Sequence, residues 1–184
     1  VRAIEYADVC LLLIDAVEGV KSQDISIFGI AQRNHKGIVI LVNKWDLVEK
    51  DTKSSAKFLE ELQHRIAPFT DVPVIFTSAL TKQRVLKALE TAVQVYQDRS
   101  KKIQTSKLND FLQEAVESNP PPSVKGKFIR IKYATQLPNP TPIFAFYCNR
   151  PQYIKDPYKR YLENKIREKF DFTGVPIRLF FRKK

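Results

Sequence analysis

The apolar run Gly37-Ile38-Val39-Ile40-Leu41-Val42 most constrains what this chain can fold into: it reads as a buried strand and stops abruptly at the polar tetrapeptide Asn43-Lys44-Trp45-Asp46. Two further runs of the same kind, Val9 to Asp15 and Val74 to Thr77, flank it at a distance. Helical periodicity fills the intervals. Gln23 to Asn34 turns Ile25, Ile27, Phe28 and Ile30 inward, and Ser54 to Ile66 places Phe58, Leu59, Leu62 and Ile66 on one face. Val85, Leu86, Leu89, Ala92, Val93 and Tyr96 form a third stripe. Short apolar strands alternating with amphipathic helices predict an α/β unit with a parallel sheet and crossover helices, half of a doubly wound domain.

The order changes near Ser100. Leu108, Phe111, Leu112, Ala115 and Val116 predict a helix that stops before Pro120-Pro121-Pro122. Ile129 to Tyr133 then alternates strictly as a strand, Ile143 to Cys148 reads as another, Pro157 to Phe170 as a helix with Tyr158, Tyr161, Leu162, Ile166 and Phe170 inward, and Ile177 to Arg182 as a last strand. The order α-β-β-α-β predicts an α+β unit with a three-stranded sheet and two helices. We therefore expect two domains, residues 1–100 and 101–184.

Charge divides at the same place. Residues 1–100 hold 13 basic and 13 acidic side chains and the remaining 84 hold 18 and 7, so the whole net charge of +11 lies in the second part. A neutral unit joined to a strongly basic one predicts a polyanionic partner for the latter, with RNA favoured over a membrane surface. The run from Val9 to Ile14 is much too short to span a bilayer. Cys10 and Cys148 both fall in strand-like runs and read as reduced core residues of a cytoplasmic protein. His35 and His64 stand far apart with no cysteine or acidic cluster at metal spacing, so no structural metal is expected.

The tetrapeptide carries a specific chemistry. A carboxylate at Asp46 accepts two hydrogen bonds from the ring N1–H and exocyclic amine of guanine, a donor pair that adenine does not offer. Asn43 can bond both the purine and neighbouring loops, and the aliphatic stem of Lys44 can lie along the ring with its ammonium in solvent, while Trp45 points away. Four residues in a polar turn after a core strand are weak by themselves. The next strand, however, ends in Ser78-Ala79-Leu80, a second loop whose alanine N–H can serve the guanine O6, an acceptor adenine lacks.

With these loops in place, the chain resembles the carboxyl-terminal part of the Der (EngA) family, bacterial ribosome-assembly GTPases with two tandem GTPase domains and a final KH-like domain. The resemblance is carried by Asn43-Lys44-Trp45-Asp46, by Ala7 to Ala16, by Pro120 to Lys127 and by the ending Gly174 to Lys184. It implies a partial P-loop-GTPase-type sheet followed by a KH-like domain, with GTP or GDP and Mg²⁺ as cofactors of an intact parent. The partners it implies are the large ribosomal subunit with its RNA, a guanine nucleotide, and the amino-terminal GTPase domain of the same parent chain.

The phosphate-binding half of such a domain is missing. A G-x-x-x-x-G-K-[ST] loop, a switch threonine and a D-x-x-G segment do not occur, and Gly19, Gly29, Gly37, Gly126 and Gly174 cannot be assembled into a phosphate cradle. With Val1 first and no methionine, the chain reads as a fragment that begins after the second switch and is expected not to hydrolyse GTP; no catalytic residue is assigned. The second unit lacks the G-x-x-G loop of an ordinary KH domain, which favours docking on folded ribosomal RNA through phosphates, or on the GTPase domain itself. Arg130 and Lys132 on one strand, and Arg178, Arg182, Lys183 and Lys184 at the last, are the expected RNA contacts. Tyr147, Tyr153, Tyr158, Tyr161 and Phe180 are stacking candidates, with Tyr158 and Tyr161 reading better as core. The alternatives are a non-enzymatic RNA- or ribosome-binding module and a protein-docking domain with incidental charge.

Overall fold

The computed structural model describes residues 2–49, 54–124 and 126–183; of the residues singled out above, Val1, Lys125 and Lys184 lie outside this range. Two compact units result. The first runs to Arg99 and takes in Thr173–Pro176, and the second comprises Ser100–Phe172 and the chain from Ile177 onward.

The first unit contains α1 (Arg2–Tyr6), β1 (Val9–Asp15), α2 (Ser22–Arg33), β2 (Gly37–Asn43), α3 (Ser54–Ile66), β3 (Val74–Phe76) and α4 (Val85–Ser100). Among the described residues its sheet has the order β1-β2-β3, parallel throughout, with Val9 opposite Gly37 and Asp15 opposite Asn43. β2 is the middle strand and is buried from Gly37 to Val42, which is why its sequence is continuously apolar and not alternating. Ile14, Ile38, Ile40 and Val42 share one face and pack with Phe28, Leu62, Ile66 and Trp45.

The third helical stripe departs from expectation. Leu86, Leu89, Val93 and Tyr96 are exposed, and α4 buries Ala88, Val95, Asp98 and Arg99 instead. Backbone proximity decides this. A side chain at Gly37 would meet Val95 Cγ1 at 2.7 Å, so the helix axis comes close to β2 at the glycine and presents its small and β-branched side. Arg99 Nη1 then donates to the Asp8 carboxylate at 2.6 Å, holding the last turn of α4 to the start of β1.

Thr173–Pro176 supplies a segment of the first unit that sequence order concealed. The Ile38 N–H donates to the Gly174 carbonyl at 2.8 Å, and the Gly174 N–H donates to the Asp71 carbonyl at 2.8 Å. Four residues from near the carboxyl end therefore satisfy backbone groups at the entrances to β2 and β3. Ile40 N–H, one repeat further along β2, is satisfied by Pro73 at 2.9 Å.

The second unit contains α5 (Thr105–Ser118), β4 (Ile131–Gln136), β5 (Ile143–Cys148), α6 (Asp156–Phe170) and β6 (Arg178–Lys183) in the expected α-β-β-α-β order. β4 and β5 are antiparallel, β5 and β6 parallel. β4 starts two residues later than its alternation predicted, with an irregularity between Ile131 and Tyr133, although Arg130 and Lys132 are exposed as expected. Phe144, Phe146 and Cys148 form a fully buried inner row, Phe146 stacking on Phe181 and Phe144 meeting Phe172 edge-on. Tyr158 is buried and Tyr161 partly so, and both fasten α6 to α5: the Tyr158 hydroxyl donates to the Asn119 carbonyl at 3.0 Å and the Tyr161 hydroxyl to the Ala115 carbonyl at 2.8 Å. Burial pushes the Tyr158 phenol well above its ordinary pKa, so it stays a donor throughout the physiological range. Tyr158→Phe removes the donor to the Asn119 carbonyl at the end of α5 and is expected to cost about 1 kcal/mol in chemical denaturation.

Candidate functional site

The polar tetrapeptide sits where β2 leaves the sheet. Asn43 is the last strand residue, Lys44 adopts the left-handed conformation with φ 61°, and Trp45–Leu47 forms a single 3₁₀ turn. The turn is anchored on both sides, by the Trp45 N–H donating to the Thr77 carbonyl at 3.0 Å and the Ala16 N–H donating to the Asn43 carbonyl at 2.9 Å. Trp45 points into the core, its ring 4.3 Å from that of Phe76 and edge-on to Phe58. The reversal at Lys44 and the burial of Trp45 leave Asp46 beside a cleft of about 310 Å³ whose walls are the two loops, Asn43 to Leu47 and Ser78 to Leu80.

The second loop comes from the adjacent strand tip. The Ser78 N–H donates to the Gln83 carbonyl, and the buried Ser78 Oγ accepts from the Thr81 N–H at 3.1 Å, which fixes the turn. Leu80 is exposed at its rim. Asn43 Oδ1 accepts from the Ala79 N–H at 3.0 Å, so all six expected base-reading residues, Asn43, Lys44, Asp46, Ser78, Ala79 and Leu80, converge on one cleft. The Asp46 carboxylate has no hydrogen-bond or ion-pair partner among the described residues and is partly exposed.

Two details differ from the expected geometry. The Ala79 N–H, expected to be open for a purine oxygen, is occupied by Asn43 Oδ1. The Lys44 side chain is exposed as expected, but its ammonium is not free: it pairs with the Asp15 carboxylate at 2.6 Å. The cause is register: Asp15 is the β1 partner of Asn43, so the residue after Asn43 falls beside it. Asp15 is further held by the N–H groups of Val17 and Glu18, an Asx-type turn after the strand.

The Lys44 hydrogen bond, chiefly, pulls the Asp15 carboxyl below its ordinary value of 3.8, and the same bond raises Lys44 above 10.5. A lowered acid contributes stability that is full above its unfolded value and is lost as pH falls through the folded one. A raised base contributes below 10.5 and loses it as pH rises. Lys44→Gln should therefore change stability by a constant offset between about pH 5 and pH 9, which denaturation at several pH values in that window measures. Asn43→Ala removes the bridge between the loops; we expect a loss of about 1 kcal/mol and faster hydrogen exchange at the Ala79 amide.

The expected RNA contacts are only partly brought together. In the β4-β5-β6 sheet, Ile131 faces Cys148 and Cys148 faces Lys183, so Arg130 just before β4 and Arg182 and Lys183 at the end of β6 share one end. Arg178 lies at the other end, opposite Ile143, with its guanidinium over the Phe180 ring at 4.8 Å. Lys132 lines a separate cleft against α5 with Asp110 and Glu117, which lowers its value as a phosphate contact. Tyr133 and Tyr147 stack on each other across β4 and β5 at 4.5 Å. Lys127, Phe128 and Arg150, not among the expected contacts, lie at the Arg130 end of the sheet; the sequence signal for that end was the lack of any acidic residue from Asn119 to Lys155.

Both cysteine thiols are free, and burial pushes each above its ordinary pKa. Among the described residues no helix is long and apolar enough to cross a membrane, and no cluster of three metal-ligating side chains occurs.

Comparison with known proteins agrees with both halves. Residues 1–98 match the elongation factor Tu GTP binding domain family, and residues 102–182 match the KH-domain-like family of EngA bacterial GTPase enzymes, C-terminal. The chain is 59% identical over 184 residues to a GTPase Der of Flavobacterium johnsoniae, covering 100% of this chain and 42% of that relative. It is 60% identical to one from Christiangramia forsetii, with the same coverage, and 55% identical over 186 residues to one from Phocaeicola vulgatus, of which it covers 43%. The chain thus spans about two fifths of the length of these curated relatives.

Proposed function

Because the chain belongs to the Der (EngA) family of GTP-binding proteins, we propose that residues 1–100 are the guanine-reading half of a GTPase domain and residues 101–184 a KH-like domain that contacts ribosomal RNA during large-subunit assembly. The single observation that carries the nucleotide reading is the convergence of Asp46 and the Ala79 amide from adjacent strand tips on one cleft. Asp46 accepts from N1–H and the exocyclic amine of guanine, Asn43 positions the second loop, and Lys44, tethered to Asp15, lays its stem along one side of the cleft. GTP with Mg²⁺, when bound in an intact parent, would supply the phosphoryl chemistry through phosphate loops that are not among these residues, and the present residues would select and orient the base.

For the second unit, RNA docking is supported by the concentration of the entire net positive charge in residues 101–184. Der-family work of this kind belongs to the cytoplasm, with the amino-terminal GTPase domain of the same parent as the intramolecular partner. Titrating a full-length protein that carries this segment with GDP and ADP tests the first half of the proposal. GDP should bind and ADP should not; no measurable GDP affinity removes the nucleotide reading and leaves an RNA- or protein-docking module. Charge reversal at Arg178, Arg182 and Lys183 tests the second half, by the salt dependence of ribosome co-sedimentation. Removing one cation–phosphate interaction should lower the salt slope by about one unit, and an unchanged slope rejects RNA docking through these residues.

A further inference from the structure

The second unit segregates its charge by layer. All seven of its acidic residues, Asp110, Glu114, Glu117, Asp156, Glu163, Glu168 and Asp171, lie on α5, on α6 or at the cap that ends α6, whereas the sheet and its loops, residues 119–155 and 172–184, hold ten basic residues and no acidic one. Within this acid-free layer one end of the sheet differs from the rest. The Asn149 side chain there binds two backbone groups of the incoming segment: Oδ1 accepts from the Arg130 N–H at 2.9 Å, and Nδ2 donates to the Phe128 carbonyl at 3.2 Å. The Asn149 N–H donates to the Arg130 carbonyl at 3.2 Å, and Val124 and Lys127 exchange two backbone bonds just before. A segment pinned at so many points holds Phe128 with 77% of its surface in solvent. An aromatic ring fixed outward by its own backbone is a site for stacking, since nothing in the unit's folding requires it there.

The surroundings supply the complementary charge. Lys127 Nζ lies over the Tyr153 ring, 5.7 Å from its centre. Arg150 has a guanidinium nitrogen, Nη1, buried without a hydrogen-bond partner among the described residues, an unspent donor for an acceptor. The turn Pro151–Tyr153 packs against β6, and Lys183 is the β6 partner of Cys148, which brings that cation to the same end.

We propose that this end of the sheet binds single-stranded RNA, stacking an unpaired base on Phe128 while Lys127, Arg130 and Lys183 contact the flanking phosphates. The inference rests on the RNA reading of the second unit and sharpens it, because phosphate docking alone does not distinguish an unpaired strand from a duplex. Base stacking on an aromatic is tolerant of sequence, so the site selects strandedness and not a particular base.

The test measures binding of the purified chain to a labelled unstructured RNA of about 12 nucleotides and to a duplex of equal length, between about 50 and 300 mM salt. The variants are Phe128→Ala, Phe128→Tyr and the pair Lys127→Glu with Arg130→Glu. Phe128→Ala should weaken single-strand binding roughly 10-fold or more, leaving duplex affinity and the salt slope in place, and Phe128→Tyr should restore it. The charge pair should lower the slope by about two units. Because Phe128 is exposed, neither change at that position threatens folding. If Phe128→Ala binds the single strand as well as the parent while the charge pair still lowers the slope, stacking is overturned and RNA docking stands. If no RNA binds at the lowest salt, or polyglutamate of equal charge binds as tightly, the RNA reading falls with it.

Discussion

Gly174→Ala is expected to destabilise the chain by about 2–4 kcal/mol, seen as a fall of very roughly 5–15 °C in the unfolding midpoint. Two costs combine. Gly174 has φ +74°, a conformation that side-chain-bearing residues occupy only at a penalty. The new methyl would also lie 2.7 Å from the Ile38 carbonyl oxygen, 2.9 Å from Pro73 Cδ and 3.0 Å from Val95 Cγ2. None of these neighbours can step aside cheaply, because Ile38 belongs to the middle strand and Val95 to the helix packed on it. Relief requires the 173–176 segment to lift, which strands the Ile38 N–H and the Asp71 carbonyl. Gly19→Ala isolates the first cost: Gly19 has φ +72° and nothing within 4 Å of an added Cβ, so only about 1 kcal/mol is expected. Equal losses for the two variants would mean that the segment is a passive connector. A larger loss for Gly174→Ala, with faster amide exchange at Ile38 and Ile40, shows that it is part of the first unit's fold.

Asp46→Asn, placed in a full-length protein that carries this segment, is expected to weaken GDP binding roughly 100-fold or more and to raise affinity for the xanthine nucleotide. In the proposed role the carboxylate accepts from two adjacent donors of guanine. An asparagine offers one acceptor and one donor, so its amide meets the exocyclic amine donor to donor and a charge-assisted bond disappears as well. Xanthine presents N1–H beside a carbonyl, the pattern that an amide complements. The structure makes the substitution a clean test: Asp46 has no other partner among the described residues, so its replacement leaves the loop's own bonds through Asn43, Trp45 and Ser78 intact. Competition of GDP and XDP for the protein reads the outcome, and an unaltered preference rejects the role given to Asp46.

Much of this is legible residue by residue, for a physical reason that differs from element to element. β2 and β5 are readable because continuous apolar runs have few alternatives to a buried strand, and α3 and α6 because their apolar stripes match a helical repeat. The two loops proposed to read the base are recognisable because their pattern is local: each is a short motif that follows the end of a strand. Expectation and structure part where partners are distant in sequence. Hydrophobicity alone places the apolar stripe of α4 inward, but Gly37 on β2 determines which side of that helix approaches the sheet. The tether of Lys44 to Asp15 follows from pairing of β1 with β2, and the clustering of Arg130 with Lys183, apart from Arg178, follows from one antiparallel and one parallel pairing.

By itself, the sequence determined which segments are strands and helices, where the charge lies, and which side chains we propose to distinguish guanine from adenine, because propensity, periodicity and functional-group chemistry belong to each residue and its near neighbours. Only the tertiary structure decided that Asn43 takes the Ala79 amide, that a glycine far along the chain completes the entrance to β2, and that a pinned Phe128 shares its end of the sheet with cations from three separate segments. These are matters of register and close approach, fixed by backbone pairing between residues tens of positions apart, and no local pattern encodes them.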